Sequence, residues 1–315
     1  MGVQTIIKTK AKPFLKWTGG KTQLLPTIDT FLPEAFQKEN EITYIEPFVG
    51  GGAMIFFMLQ KYPNIKRAVI NDINPHLIKT YTVIRDNPIL LIDYLGELQT
   101  TFRAIGEYEA QKEFYLDIRS RFNQHSLSNI EEAAYMIFLN RTCFNGLYRE
   151  NSKGKFNVPF GRYSNPTICD DTLILADSAL LQKVEILNGD FSETESFING
   201  YTFFYFDPPY RPLNSTSSFN SYVKEDFGDN EQIRLKDFYT YLSLHGCHVM
   251  LSNSDGKSHN ENDMFFDNLY SDFIIERVYT KRRINADASK RGLLSELFIP
   301  TAREKIRFCR TLKEA

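Results

Sequence analysis

The sequence predicts an α/β fold in which a mainly parallel sheet begins near the amino terminus, pauses for a mainly helical insertion bearing a β-hairpin, and then resumes. Three observations predict it. Short apolar runs end abruptly in glycine, proline or acidic residues, as where Thr43-Tyr44-Ile45 meets Glu46-Pro47-Phe48-Val49-Gly50-Gly51-Gly52 and where Phe203-Phe204-Tyr205-Phe206 meets Asp207-Pro208-Pro209-Tyr210. Between them, from Asn87 to about Thr142, apolar residues such as Ile89, Ile92, Leu95 and Leu98 recur at three- and four-residue spacing, the period of a helix. Strand-like runs then return from Val184 onward.

Each element follows in order. Thr43–Ile45 reads as a first strand, Ala53–Leu59 as the helix after the glycines, Ala68–Ile70 as a second strand ending at Asn71-Asp72, and Pro75 as the start of a helix to about Arg85. Strand, glycine loop, helix, strand is the signature of a parallel crossover. Later strands are expected at 184–187, 203–206, 247–252, 273–278 and 296–299. Asn145-Gly146 and Lys153-Gly154 are turn signals, so residues 141–163 are expected to form a hairpin able to enter a major groove.

Composition narrows the function. A chain of 315 residues has room for a full catalytic apparatus, and its 42% hydrophobic and 24% charged content is ordinary for a globular protein. No apolar stretch approaches a membrane span and no secretory signal is recognised, so a cytoplasmic protein is expected. The four cysteines form no Cys-x-x-Cys pair and the histidines lack ligand spacing, with His245 and His248 read as structural, so no metal site is expected. Net charge is only −2, yet the basic residues are clustered. Residues 141–163 hold five against Glu150 alone; residues 277–291 hold six, starting with Arg277, against Asp287; and the amino terminus adds Lys8, Lys10, Lys12, Lys16 and Lys21. Three such clusters, interleaved with aromatic and small polar residues, are expected to track phosphates.

The chemistry is concentrated at two strand ends. In Asp207-Pro208-Pro209-Tyr210 each proline fixes its own φ and keeps the preceding residue out of the helical region. The Asp207 carboxylate and the Pro208 carbonyl are thereby left as neighbouring acceptors beside the Tyr210 ring, a site suited to a planar NH2 group on an aromatic base. An ordinary turn uses the same residues. At the other strand end, Gly50-Gly51-Gly52 would let the backbone approach a ligand where a helix starts, and Asp72, about twenty residues on, stands where an acidic residue accepts hydrogen bonds from ribose hydroxyls. A tight turn would also explain the glycines. No strict G-x-G-x-x-G is present, which points to a nucleoside cofactor without a pyrophosphate.

Six motifs, Lys16-Trp17-Thr18-Gly19-Gly20-Lys21, Glu46 to Gly52, Asn71-Asp72-Ile73-Asn74, Phe144 to Arg149 with Phe156 to Tyr163, Gly189-Asp190-Phe191 and Asp207 to Tyr210, occur in one order. In that order the chain resembles the Dam-like (DpnM-like) adenine-specific DNA methyltransferases of the GATC-reading group, over nearly its whole length. The resemblance implies a Rossmann-like, S-adenosylmethionine-dependent sheet, with residues 1–75 and 185–315 as catalytic domain and 76–184 as an inserted, mainly helical target-recognition domain. By position, Trp17, Lys21, Phe48, Gly50, Gly52, Asp72 and Asp207 match the cofactor site, and Asp190 and Phe191 match the pair around the cofactor's adenine. Asp207, Pro208, Pro209 and Tyr210 match the catalytic tetrapeptide that accepts the target N6 amino group and stacks the base.

On the DNA side, the resemblance implies that Arg149 grips a guanine, that Leu147 and Pro159 touch thymine, and that Phe144 inserts where the flipped adenine left. It also implies that Asn145 contacts DNA, that Lys16 reaches the outer guanine, and that Arg162 holds phosphate. Without it, Leu147, Phe160 and Tyr163 read as hairpin packing. The segment from Arg211 to Gly228, rich in Ser and Asn, is expected to cover the site, or else to be a surface loop. A monomer acting on double-stranded DNA, without metal or membrane, is expected. Two alternatives are weaker. A cytosine-N4 or RNA-adenine methyltransferase fits poorly with Asp rather than Ser before Pro-Pro-Tyr, and a nicotinamide oxidoreductase lacks its pyrophosphate loop.

Overall fold

The structure is a computed structural model describing residues 9–124, 126–211, 227–258, 260–281 and 293–300. Lys8, Arg282, Arg283, Lys290, Arg291 and residues 212–226 of the expected covering segment lie outside the described residues. Seven strands form one sheet: β1 (Ile42–Glu46), β2 (Ile65–Asp72), β3 (Val184–Asn188), β4 (Thr202–Phe206), β5 (His248–Ser254), β6 (Glu276–Lys281) and β7 (Leu293–Pro300). Their order is β3-β2-β1-β4-β5-β7-β6. Strands β1 to β5 pair in parallel, β7 runs antiparallel to β5, and β6 antiparallel to β7. The expected mostly parallel α/β sheet is therefore present, and it closes on an antiparallel edge.

Strand order explains where a ligand can sit. The chain builds outward from β1 through β2 to β3, then returns to place β4 on the other side of β1, in the register Tyr44↔Phe203 and Ile45↔Phe204. Such a reversal opens a crevice at the carboxyl ends of the two central strands. Both motif-bearing strand ends, Glu46 to Gly52 after β1 and Asp207 to Tyr210 after β4, face that crevice.

Ten helices are described: α1 (Leu25–Thr30), α2 (Glu34–Lys38), α3 (Ala53–Lys61), α4 (Pro75–Asp86), α5 (Pro88–Ile105), α6 (Tyr108–Phe122), α7 (Asn129–Thr142), α8 (Asp171–Leu181), α9 (Asp229–Leu244) and α10 (Phe265–Leu269). Pro75 opens α4 and the Asn74 side chain accepts hydrogen bonds from the His76 and Leu77 amides, satisfying donors that a helix start leaves free. Ser128 and Glu131 form a capping box at α7.

Every residue of β4 is buried. Phe203 and Tyr205 pack toward the cluster containing residues of α3, α4 and α7, whereas Phe204 and Phe206 pack toward Leu235, Phe238, Tyr239 and Leu242 of α9. Burial on both faces is what a continuous apolar run signifies in a parallel sheet. Each ring so buried contributes about 1.5–3 kcal/mol.

Two expectations shift. The strand placed at 273–278 begins instead at Glu276, because Phe273 is a core ring in the preceding turn, 4.8 Å from Tyr239. The hairpin at 141–163 has two arms that form no continuous ladder and pair through a few backbone bonds around the isolated bridges Cys143↔Phe160 and Glu150↔Phe156. Its second arm bonds elsewhere: the Phe156 amide and carbonyl pair with the Asn123 side chain, and the Val158 carbonyl accepts from Tyr115 and Arg119 of α6.

Candidate active site

A cavity of about 1080 Å³ occupies the crevice, walled by segments 15–23, 46–54, 71–74, 189–191 and 207–211. That exceeds the usual size for one small ligand. It leaves space for a nucleoside-sized cofactor and part of a base.

At the end of β4, Asp207 Oδ1 accepts from Ser252 Oγ at 3.2 Å and lies 3.2 Å from Lys21 Nζ, while 21% of its side chain remains accessible. Among the described residues no hydrogen bond reaches the Pro208 carbonyl. The next carbonyl, Pro209, accepts from Gln232 Nε2 at 3.2 Å, and Gln232 is itself fixed by Asn253 at 3.2 Å. Tyr210 is 40% exposed, and its hydroxyl accepts from Lys21 at 2.5 Å. Two acceptors and a ring thus stand together at the cavity, and the backbone around them is anchored by buried amides.

Lys21 departs from expectation. Counted among surface cations by sequence, it is 3% exposed and lies between Asp207 and Glu296, whose Oε2 is 2.8 Å away. Burial alone would depress its pKa, but Asp207, Tyr210 and Glu296 outweigh burial and hold it well above the usual lysine value. It is therefore charged. The Asp207 carboxyl is raised by burial and by Glu296 in spite of Lys21. Burial likewise pushes the Tyr210 hydroxyl up to about 12.

The β1 end supplies a second carboxylate, Glu46, buried and accepting from the Tyr44 hydroxyl at 3.0 Å, with its pKa raised well above the ordinary value by burial. Gly52 caps α3 with φ 80, and a Cβ there would meet Tyr81 Oη at 2.4 Å. The Tyr81 hydroxyl donates to the Gly50 carbonyl at 2.9 Å, so a side chain at Gly52 would displace the tyrosine that holds the loop. Asp72 accepts from the Gly50 amide at 3.1 Å and from the Asn74 amide at 3.0 Å, and burial pushes its carboxyl up to about 6 against those bonds. Trp17 packs on Gly50 and Gly51 and stacks on Tyr148, centroids 5.5 Å apart.

Past β3, Asp190 is held by Arg234 at 2.9 and 2.7 Å and caps the turn starting at Phe191. The bidentate guanidinium keeps its carboxyl well below the usual range. Phe191 is buried with Phe48 5.4 Å away, a flat apolar wall beside a fixed carboxylate. Glu46, Asp72 and Asp207 line the cavity with carboxyls whose pKa values burial raises, so a bound ligand carrying positive charge would favour their ionised forms.

The residues matched to DNA reading, Lys16 apart, lie along the segment 144–162. Phe144 is 52% exposed, Asn145 next to it has φ 55, and Pro159 is exposed with its carbonyl accepting the Phe144 amide. Arg149 donates to Asn157 Oδ1 at 2.8 Å, and exposed Arg162 lies 5.9 Å from the Tyr108 ring. Leu147 is half-buried against the main core. Lys16 lines the cavity, and its ammonium reaches the Tyr163 hydroxyl at 3.5 Å.

One expected phosphate contact is corrected: Arg277 is tied to Asp255 at 3.0 Å and to Asp267 at 2.8 Å, so its charge is neutralised inside the fold. His245 hydrogen-bonds the Tyr241 carbonyl, and His248 is buried on the Tyr201 ring. Among the described residues no group of three His, Cys, Asp or Glu could hold a metal, and no helix is long and apolar enough to cross a membrane. Sequence reading missed Ser252, Gln232, Arg234 and Glu296, which act on the site from β5, α9 and β7. Only Glu296 had a signal, as a lone acid inside an apolar strand.

The family of D12 class N6 adenine-specific DNA methyltransferases matches residues 17–284. The chain is 48% identical over 284 residues to the type II methyltransferase M.MjaIII of Methanocaldococcus jannaschii, covering 90% of this chain and 96% of that protein. It is 41% identical over 297 residues to the type II methyltransferase M1.LlaDCHI of Lactococcus lactis subsp. cremoris, covering 93% and 96%. It is 33% identical over 290 residues to the DNA adenine methylase of Vibrio cholerae, covering 91% and 95%. This chain belongs to the D12 class of N6 adenine-specific DNA methyltransferases. Membership implies a DNA substrate and a methyl donor.

Proposed function

We propose that this enzyme methylates N6 of an adenine flipped out of duplex DNA, within GATC, using S-adenosylmethionine, and that it acts as a cytoplasmic monomer. The observation that carries the reading is the pair of acceptors at the end of β4, a partly accessible Asp207 carboxylate beside a Pro208 carbonyl that no hydrogen bond reaches among the described residues, next to Tyr210. Two acceptors match the two hydrogens of an exocyclic amino group. Holding them reduces conjugation of the nitrogen lone pair with the ring and aims it, while Tyr210 stacks the base.

S-adenosylmethionine supplies a methyl group already activated on a sulfonium, so the protein's task is alignment, worth on the order of 7–11 kcal/mol in the best intramolecular models. Its positive charge would favour the ionised forms of the buried carboxyls of Glu46, Asp72 and Asp207. Asp72 faces the ribose position, and Asp190 with Phe191 and Phe48 the adenine position. Trp17 and Gly50 to Gly52 form the floor. Lys21 acts at one remove, orienting Asp207 and Tyr210.

Flipping costs about a few kcal/mol, and residues 76–184 are assigned the reading that selects where it occurs. Arg149 is assigned a guanine, Leu147 and Pro159 the thymine, Phe144 the gap, Asn145 and Arg162 the backbone, and Lys16 the outer guanine. Residues 1–75 and 185–315 are assigned the chemistry, the sheet resuming with β3 at Val184.

Asp207→Ala tests the assignment. It is expected to bind S-adenosylmethionine and duplex but to methylate at least about 10²-fold more slowly, as misplacement of a reacting group predicts. Methylation at the parent rate would show that the acceptor site is wrongly assigned.

A further inference from the structure

Lys16 belongs by sequence to the segment that runs on into Trp17 and the cofactor cavity, yet its backbone, stem and ammonium make contact with residues between Asn140 and Tyr163. Asn140, 2% exposed on α7, accepts from the Lys16 amide through Oδ1 at 2.9 Å. Its Nδ2 donates to the Lys16 carbonyl at 2.9 Å and to the Gly146 carbonyl at 2.9 Å. One buried amide thus spends its acceptor and one donor on Lys16, 124 positions away in the chain, and its other donor on Gly146. The aliphatic stem of Lys16 lies on Gly146, where a Cβ would meet Lys16 Cδ at 2.4 Å, and Gly146 has φ 64. The ammonium lies 4.5 Å from the Tyr163 ring centroid. Backbone, stem and charge of Lys16 are each held by a different part of residues 140–163.

We propose that Asn140 is a positioning residue for sequence reading, which locks Lys16 onto the recognition segment so that Lys16 and Arg149 address the duplex as one rigid head. The inference rests on the assignment of Lys16 to a base pair. Asn140 serves register, since a helix side chain that fixes a remote backbone sets the spacing between two reading cations. Gly146 serves it too, because only a residue without a side chain lets the lysine stem lie flat there.

The test is methylation of a duplex library randomised around the target adenine, with preference scored at each position. Lys16→Ala, Asn140→Asp and Gly146→Ala are compared with the parent, and each variant is checked for cooperative unfolding. Gly146→Ala complements Asn140→Asp, because it crowds the Lys16 stem from a left-handed backbone position while leaving the Asn140 side chain unchanged, and it is scored only where cooperative unfolding shows it folded. The expected result is that all three relax preference at the same single position, by about 5- to 150-fold, the span of one specific base contact, while the position read by Arg149 keeps its preference in Gly146→Ala. If Lys16→Ala leaves every preference unchanged, the assignment of Lys16 itself fails. If Lys16→Ala relaxes one position while the folded Asn140 and Gly146 variants keep it, or merely slow all sequences equally, the positioning role is overturned.

Discussion

Asp72 joins two jobs in one carboxylate. The Gly50 amide fixes it to the glycine loop and the Asn74 amide to the start of α4, and burial pushes its carboxyl up to about 6 while the site holds only protein groups. A cationic, hydroxyl-bearing ligand favours the ionised form, so binding should release a proton. Cofactor affinity measured by calorimetry is expected to rise as pH increases through about 6, and to lose that step in Asp72→Asn. A pH-independent affinity in the parent would remove Asp72 from the site. On the fold the sign is reversed. A carboxyl whose folded pKa is raised stabilises fully below its unfolded value and loses that contribution as pH climbs through about 6. Residue identities were legible where a motif concentrates them, as in Asp207 to Tyr210. Lys21 was legible as a site residue but not as a buried one, because Glu296, which makes its burial tolerable, comes from β7.

Among the elements, the glycine loop and the recognition segment show two degrees of legibility. The loop follows directly from sequence, since glycines between a strand and a helix leave few options and Asp72 closes the next strand. Gly52→Ala is expected to place a Cβ against Tyr81 in a left-handed backbone position. Such strain costs about 1–3 kcal/mol, read as a lower unfolding midpoint together with weaker cofactor binding. Unchanged stability would mean that the loop does not depend on the Tyr81 bond. The recognition segment was legible only as a turn-rich basic stretch. Its second arm takes hydrogen bonds from Tyr115, Arg119 and Asn123, side chains of α6 or just beyond it. Nothing within residues 141–163 announces partners supplied from another element, so a laddered hairpin was the natural expectation and two isolated bridges the outcome.

Across the whole molecule, charge and topology divide the labour. The sheet reversal between β1 and β4 brings two distant motifs to one cavity, an order that sequence periodicity does not encode because parallel strands look alike whatever their neighbours. Basic charge sorts by what surrounds it: Lys21 and Arg277 are neutralised within the fold, whereas Arg162 is exposed. Arg162→Ala is accordingly expected to weaken all duplexes alike and to reduce the salt slope of binding by about 1, while Arg149→Ala should cost about 1–3 kcal/mol on the cognate duplex and relax one position. Equal effects of the two substitutions on sequence preference would refute that division. The most direct measurement transfers labelled methyl groups from S-adenosylmethionine to duplexes with and without GATC, followed by nucleoside analysis of the product. N6-methyladenine confined to the GATC duplex is the expected result, and label on cytosine, or equal label in both duplexes, would contradict it.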